Sequence, residues 1–510
     1  MRAKKGFGVS VMSERFILSV DQGTTSSRAL AFDKAGQVRA VAQREFQQIF
    51  PDDGWVEHDA LEIWETTLAC CKDVLADLGA ENFAAIAITN QRETAVIWER
   101  ATGKPIANAI VWQDRRTAEI CNGLKEAGHE AAITAKTGLL LDPYFSASKV
   151  GWLLDNVKGA RVKAEAGELA FGTIDSWLVW QLTAGASHVT DASNAARTSL
   201  FNIHDNQWDA DLLELFGVSA NMMPEVKDNA ADFGTSSEAA LGVALPILGM
   251  AGDQQAATIG QACFKPGMIK STYGTGCFVL ANTGDKAAVS SNRLLTTIGY
   301  RLDGKTTYAL EGSIFMAGAI VQWLRDGLQL VAHASDTQAL AEAANPDSTV
   351  TMVPAFTGLG APHWAPDARA AIFNMTRDSD KADIARAALE SVSLQTADLM
   401  RAIGDDMAAA GMDVPPRLRV DGGMVANIWL CQSLADLCDC PIDRPAITET
   451  TALGTAMLAM LKLGWFESLD ALGENWALEA QFEPQMATEK RAEKQALWQA
   501  ALRQVLNSAD

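Results

Sequence analysis

The sequence predicts an α/β protein of two domains, and three observations carry that expectation. Its 510 residues exceed what one hydrophobic core supports, so two domains of roughly 250 residues follow. Short runs rich in β-branched and aromatic residues alternate with helix-period segments along most of the chain. A strand, a Gly/Thr turn and a second strand stand at the head of each half, which reads as an internal duplication.

The first of these stretches is Phe16-Ile17-Leu18-Ser19-Val20-Asp21-Gln22-Gly23-Thr24-Thr25-Ser26-Ser27-Arg28. Its apolar start reads as a buried strand that stops at an acid, a glycine and four hydroxyl residues. Backbone N–H groups around Gly23 can turn toward an anion, Thr24 to Ser27 add hydroxyl donors, and Asp21 can hold a hydrated Mg²⁺. A polar hairpin turn is the plainer alternative. Residues 28–32 and 37–46 read as the next two strands. Asp59 and Glu62 have capping-box spacing ahead of a helix with Leu61, Trp64, Leu68, Cys71, Leu75 and Leu78 on one face, closed by Gly79.

Residues 83–89 are a further buried strand, followed directly by Gln91-Arg92-Glu93-Thr94 and a short strand at 95–98. Charged residues at the C-terminal end of a central strand commonly line a cleft. Arg92 can donate to hydroxyl oxygens and Glu93 can accept hydroxyl hydrogens, a pairing suited to a polyol; a surface ion pair is the alternative. Tyr144, in the Pro-punctuated loop 141–149, can set a ring and a hydroxyl against a small polar ligand or simply pack. Asp253 follows an apolar strand and opens an Ala-rich helix at 254–261. It reads either as a helix N-cap or as a general base for a hydroxyl nucleophile, with Gln254 positioning it.

In the second half, residues 269–280 repeat strand, Gly/Thr turn, strand, and residues 296–302 and 306–310 form a hairpin. This half therefore also begins with a β-meander, after which Ser313 is placed to cap a helix running toward Leu328. Two facing anion-binding turns would clamp a polyphosphate between the domains. Residues 353–362 are a Gly/Pro-rich loop and 383–400 a helix. Leu418-Arg419-Val420-Asp421-Gly422-Gly423 reads as strand and glycine turn, open to a flat ligand such as adenine or ribose. Residues 451–463 and 490–510 are closing helices.

A net charge of −21 with no offsetting Lys/Arg cluster argues against nucleic acid. The eight cysteines show no ligand spacing for zinc, and scattered thiols suit a reducing cytoplasm. Residues 1–13 hold no signal-type apolar core, and Met12 is a second possible start. The apolar run at 452–463 is broken by Lys462 and falls short of the ~20 residues of a membrane span, so no membrane insertion is expected.

Four clusters combine in order: Gln91-Arg92-Glu93-Thr94, Trp112-Gln113-Asp114-Arg115-Arg116, Asp142-Pro143-Tyr144-Phe145-Ser146 and Gly252-Asp253-Gln254-Gln255. With them, from Phe16 to Phe466, the chain resembles the FGGY carbohydrate kinases, in the pattern of the glycerol-type members. Residues 144–156 and 422–430 resemble two signatures of that family. The resemblance implies two ribonuclease-H-like domains of the actin/hexokinase/Hsp70-like ATPase kind around a catalytic cleft. Residues 14–262 would bind the polyol and carry the first phosphate loop, and residues 263–510 would bind the nucleotide. The implied reaction is ATP-dependent phosphorylation of glycerol to sn-glycerol 3-phosphate. A kinase for another small polyol or ketose, or a non-catalytic actin-like ATP switch, are the alternatives.

By the same resemblance, glycerol is held by Arg92, Glu93, Tyr144, Asp253 and Gln254 with Phe278 packing nearby, and Asp253 is the base. ATP is held by Thr24, Thr25, Ser26 and Arg28 on one side and by Thr275, Gly318, Gln322, Gly423 and Asn427 on the other, with Mg²⁺ at Asp21. Cleft closure and a homodimer or homotetramer are further implications. Two departures from relatives stand out. Residues 234–246 contain no Arg or Lys, where some bacterial members carry an Arg-bearing fructose 1,6-bisphosphate loop, and residues 224–250 contain no His for phosphorylation control. Ala370 and Asn374 stand where glycines are common in the family.

Overall fold

The computed structural model describes residues 15–412 and 417–508. The choice of start between Met1 and Met12, and the outermost residues of both expected domains, lie outside the described residues. The first sheet contains β1 (Phe16–Gln22), β2 (Ser26–Phe32), β3 (Val38–Glu45), β4 (Phe83–Asn90) and β5 (Ile247–Gly252) in the order β3-β2-β1-β4-β5. The first three are antiparallel neighbours, while β4 and β5 run parallel to β1. Period-two alternation sends Leu18, Val20, Ala29, Ala31, Ile86 and Ile88 to one face and Ile17, Leu30, Phe32, Ala85 and Ala87 to the other. Both faces are covered by helices, so these strands read as continuous apolar runs.

Helix Ala60–Leu78 covers the first face. Asp59 caps it through the Leu61 N–H, but Glu62 accepts from the Gln47 N–H, so the expected capping box does not form. The buried stripe is Ala60, Ile63, Thr67, Cys70, Cys71, Val74 and Leu75, rotated from the expected one so that Leu61 is exposed. Small residues in that stripe let the helix lie close to the sheet, which the larger Leu/Trp stripe does not allow.

The second sheet contains β6 (Ile269–Tyr273), β7 (Cys277–Gly284), β8 (Leu295–Leu302), β9 (Lys305–Ile314), β10 (Leu418–Asp421), β11 (Ile442–Pro445) and β12 (Leu478–Phe482), in the order β8-β9-β7-β6-β10-β11-β12. Its inner run β9-β7-β6-β10-β11 has the same pattern of antiparallel and parallel neighbours as β3-β2-β1-β4-β5. The duplication seen in the sequence is thus a repeat of topology. The expected plain meander is not found, because β9 inserts between β7 and β8 and displaces β8 to the edge. Ser313 does not cap a helix either. β9 stays paired with β7 as far as Ile314, so Ser313 is a strand residue and the next helix starts only at Gly318.

Helix Thr450–Lys462, from the second half, lies on the far face of the first sheet, where Ser19 Oγ donates to the Ala452 carbonyl at 2.8 Å. It crosses helix Asp253–Gly260 at two glycines. A Cβ on Gly454 would sit 1.8 Å from the Ala256 carbonyl oxygen, and one on Gly260 would sit 2.0 Å from that of Thr450. Only glycine permits that backbone contact, and it fixes the two halves against each other. Among the described residues no helix is long and apolar enough to cross a membrane, and all eight cysteines are free.

Candidate active site

Because β1, β4 and β5 are parallel, their C-terminal ends lie side by side, with Gln22 beside Asn90 and Asn90 beside Gly252. Three segments far apart in sequence therefore meet at one sheet edge: the Gly23 turn, Gln91 to Glu93, and Asp253. The first stretch is indeed a hairpin, with Asp21 opposite Arg28 and the Gly23 N–H spent on the Ser26 carbonyl at 2.9 Å. Thr25 is exposed at the tip, while Thr24 Oγ1 accepts from the Trp112 indole N–H and Ser26 Oγ accepts from Gln43 Nε2 at 3.2 Å. The turn is braced from behind by Gln48 Nε2 on the Thr24 carbonyl (3.1 Å) and Gln91 Nε2 on that of Gly23 (3.2 Å).

Arg92 and Glu93 are not a surface pair. They are 2% and 1% exposed, and both are built into a buried charge network. Arg92 donates from Nη1 and Nη2 to the two carboxylate oxygens of Glu311 at 2.6 and 3.1 Å, and from Nη1 to Gln255 Oε1 at 3.2 Å. Its Nε lies 3.0 Å from Asp253 Oδ1. Arg197 completes the set, donating to Glu93 Oε1 at 2.6 Å and to Glu311 Oε1 at 2.9 Å. Glu93 sits at φ +60°, a left-handed conformation rare outside glycine, and Ser146 Oγ holds its carbonyl at 3.0 Å. Gly252 is required beside this arginine, since a Cβ there would come within 2.8 Å of the Arg92 side chain.

Asp253 is the first helical residue rather than the cap, which is Gly252. Both of its contacts fall on Oδ1: the Gln254 N–H at 2.7 Å and Arg92. Burial pushes the carboxyl above its ordinary range, and Arg92 and Lys270 oppose that. Its side chain keeps 30% exposure, and Oδ2 takes part in neither of these contacts. Gln254 accepts on Oε1 from Lys270 Nζ at 2.6 Å, which orients the amide so that its NH₂ points away as a donor.

Tyr144 lies edge-on to Trp112 with centroids 5.6 Å apart, under the Arg197 guanidinium, and its carbonyl accepts from Lys149 Nζ at 2.6 Å. Burial raises the phenol far out of the titrating range, so it stays a hydroxyl donor. Phe278 packs against Trp112 at 6.3 Å and under Arg92 at 5.7 Å. The Trp112 indole N–H donates to Thr24 Oγ1 at 3.0 Å, tying this aromatic wall to the first Gly/Thr turn.

Across the cleft the second turn is held by the helix that follows β9: the Gly318 N–H donates to the Gly274 carbonyl at 2.8 Å and the Ala317 N–H to that of Thr275 at 3.0 Å. Met424, next to Gly423, lies beside Gly318. Thr275, Gln322 and Gly423 are exposed around this turn. Asn427 Oδ1 caps helix Ile428–Cys438 through the Leu430 N–H at 3.0 Å, a structural duty beside any role toward a ligand.

Asp21 is pushed up to about 6, chiefly by burial, with Arg28 3.5 Å away opposing it and Glu449 and Asp253 adding to it. Among the described residues no group of three or more His, Cys, Asp or Glu could hold a metal ion. A single carboxylate fits an ion carried mostly by water and phosphate oxygens, as Mg²⁺ commonly is.

Arg197, Lys270 and Glu311 were not singled out by the sequence. The available signal was a lone charge inside an apolar strand, as in Ala309-Leu310-Glu311-Gly312 and Met268-Ile269-Lys270. Two buried arginines (Arg92, Arg197) thereby pair with three carboxylates (Glu93, Asp253, Glu311), and Lys270 bonds the Gln254 amide beside them.

Profiles described as the FGGY family of carbohydrate kinases, N-terminal and C-terminal domains, match residues 16–260 and 269–463. The chain belongs to the FGGY carbohydrate kinases. Among curated members of this family it is 58% identical to the glycerol kinase of Ectopseudomonas mendocina, over 96% of this chain and 99% of that one. It is 57% identical to glycerol kinase 1 of Pseudomonas aeruginosa, over 97% and 99%. Among solved FGGY-type structures, the Plasmodium falciparum glycerol kinase with ADP superposes with a TM-score of 0.90 at 36% identity, covering 97% and 98%. A xylulose kinase from Lactobacillus acidophilus shares the fold with a TM-score of 0.86 at 22% identity, covering 97% and 98%.

Proposed function

We propose that this FGGY kinase transfers the γ-phosphoryl group of ATP to a terminal hydroxyl of glycerol, giving ADP and sn-glycerol 3-phosphate. The observation that carries the reading is the donor and acceptor set Arg92, Glu93, Asp253 and Gln254, gathered at one sheet edge beside an aromatic wall and a Gly/Thr turn. Relatives named as glycerol kinases over almost the whole chain support it.

Arg92 and Gln254 supply N–H donors to hydroxyl oxygens, Glu93 accepts hydroxyl hydrogens, Tyr144 adds a hydroxyl, and Phe278 and Trp112 pack on the carbon chain. Asp253 Oδ2 takes the proton of the attacking hydroxyl as its oxygen bonds to the γ-phosphorus. The bond from phosphorus to the β–γ bridging oxygen breaks, and ADP leaves with that electron pair. Thr24, Thr25, Ser26 and Arg28 face the phosphates from one half. Thr275, Gly318, Gln322, Gly423 and Asn427 face the nucleotide from the other, so residues 14–262 serve the polyol and the first phosphate turn and residues 263–510 the nucleotide. Mg²⁺, when bound through Asp21 and the phosphates, offsets their charge. Closure of the cleft on both substrates excludes water from the transfer. Free buried thiols suit a cytoplasmic enzyme, and a homodimer or homotetramer follows from the family resemblance.

The test is coupled ADP release with glycerol, dihydroxyacetone, erythritol and xylulose in parallel. Glycerol-dependent turnover well above the others is expected; equal or greater turnover on xylulose or erythritol refutes the assignment. Small-angle scattering with glycerol and a non-hydrolysable nucleotide tests closure, which an unchanged radius of gyration contradicts.

A further inference from the structure

We propose that Glu311, a strand residue of the second half, is a positioning residue for the polyol site of the first, holding Arg92 and Arg197 in the geometry that receives substrate. This rests on the function proposed above. Glu311 is fully buried near the middle of β9 and is surrounded by cations rather than by apolar neighbours alone. Each of its carboxylate oxygens is engaged: Oε2 by Arg92 Nη1, and Oε1 by both Arg92 Nη2 and Arg197 Nη2. A planar fork meeting a carboxylate through two N–H groups fixes the rotation of the guanidinium as well as its distance.

That fixation has a consequence for the chemistry. Arg92 has five N–H hydrogens, and three of them are committed to Glu311 and Gln255. With the fork held from the second half, Nε is turned to Asp253 and one Nη2 hydrogen is left over for a substrate oxygen. Without Glu311 the guanidinium can swing to make a two-pronged pair with Asp253 itself, which would occupy the proposed base. Arg197 is in the same position with respect to Glu93, its other carboxylate partner. Glu311 therefore acts on substrate through two arginines that it joins across the halves. Gln254, bonded to Lys270 of β6, is tied across the halves in the same way.

The test compares parent, Glu311→Gln and Glu311→Asp as full-length enzymes. Glu311→Gln keeps the shape but accepts at one oxygen only and removes the charge; roughly a 10–100-fold rise in the glycerol KM is expected, from loss of a buried charged hydrogen-bond pair. The ATP KM at saturating glycerol stays near the parent value, because the Gly/Thr turns are not contacted by Glu311. Glu311→Asp restores the charge at shorter reach and recovers part of the glycerol KM. A thermal melt is run on all three. A lower melting temperature with an unchanged glycerol KM overturns the proposal, since Glu311 is then an ion pair of structure only. So does an equal rise in the KM of both substrates. If Glu311→Gln does not fold, the Glu311→Asp variant alone decides, by a raised or a parental glycerol KM. The parent separates this from the function itself. A parent inert toward glycerol refutes the function, whereas an active parent with unaffected variants refutes only the role of Glu311.

Discussion

Replacing Asp253 by Asn is the most direct probe of the proposed chemistry, because the proposed reaction gives the two oxygens different work. Oδ1 accepts from the Gln254 N–H at 2.7 Å and faces Arg92 Nε at 3.0 Å. Asparagine keeps an oxygen at that place and puts its NH₂ where Oδ2 was, so the helix start survives while the proton acceptor is lost. Arg92 keeps its bonds to Glu311, which limits the damage to the surrounding network. General-base help is typically ~10²–10⁴-fold, so kcat should fall by that factor, about 2.7–5.4 kcal/mol of barrier. The glycerol KM should move much less. Coupled ADP release at saturating glycerol and ATP measures the rate, and a calorimetric melt measures stability. A variant that turns over within tenfold of the parent, with an unchanged melt, removes Asp253 from the role. The parent's acid limb gives a second handle. Burial raises the Asp253 carboxyl, so activity should fall as pH drops through that raised value, earlier than for an ordinary aspartate.

Further outcomes are expected at three places in the chain. Gly454→Ala drives a Cβ into the Ala256 carbonyl, which a Cβ would approach to 1.8 Å, so the helices must part. A cost of about 1–3 kcal/mol, read as a drop of several degrees in the melt, is expected, and an unshifted melt contradicts the crossing. Asp21 is raised to about 6 by burial, so the apparent Mg²⁺ affinity of turnover should weaken as pH falls below that value and Asp21→Asn should flatten the dependence. The sign for stability is opposite: a raised carboxyl favours the fold at low pH and is lost as pH rises through about 6. Metal-free Asp21→Asn should therefore gain on the parent between pH 4 and 7, and an equal difference at both ends contradicts the shift. Finally, residues 234–246 carry no Arg or Lys, so millimolar fructose 1,6-bisphosphate should leave turnover unchanged; strong inhibition refutes that reading.

What was legible in the sequence was local. Apolar runs ending in Gly/Thr turns gave β1, β2, β6 and β7, and acids or amides just past a strand marked Gln91 to Glu93 and Asp253. Strand direction then did the rest, because parallel β1, β4 and β5 must end on the same edge. Features that depend on a partner distant in the chain were not legible. The stripe of helix Ala60–Leu78 depends on how closely the sheet lets it approach, and Glu62 leaves its expected cap for Gln47, fifteen positions earlier. β9 slides between β7 and β8 although β8 precedes it, since pairing is chosen by side-chain fit and not by order. Glu311 lies 219 positions from Arg92, and no periodicity connects them.

The buried charges raise the question of why the fold keeps them. Taking ions out of water costs several kcal/mol each, and a buried pair often does no better than well-packed apolar residues, so this network is a poor source of stability. In the proposed reaction its members instead supply the fixed donors and acceptors that a polyol needs, and its bonds from Arg92 and Arg197 to Glu311, and from Lys270 to Gln254, cross between the two halves. A site completed only when both halves are in register assembles its donors at the same moment as it excludes water. Binding free energy from glycerol can then be used to hold the halves together, and ATP meets an acceptor hydroxyl whose base and orienting groups are already set. Water, which cannot span the same donors and acceptors, would not draw the halves together in this way. On that logic the parent should hydrolyse ATP far more slowly in the absence of glycerol than it phosphorylates glycerol. Loosening the link at Glu311 should raise the ratio of hydrolysis to transfer, and an unchanged ratio in Glu311→Gln would count against the coupling.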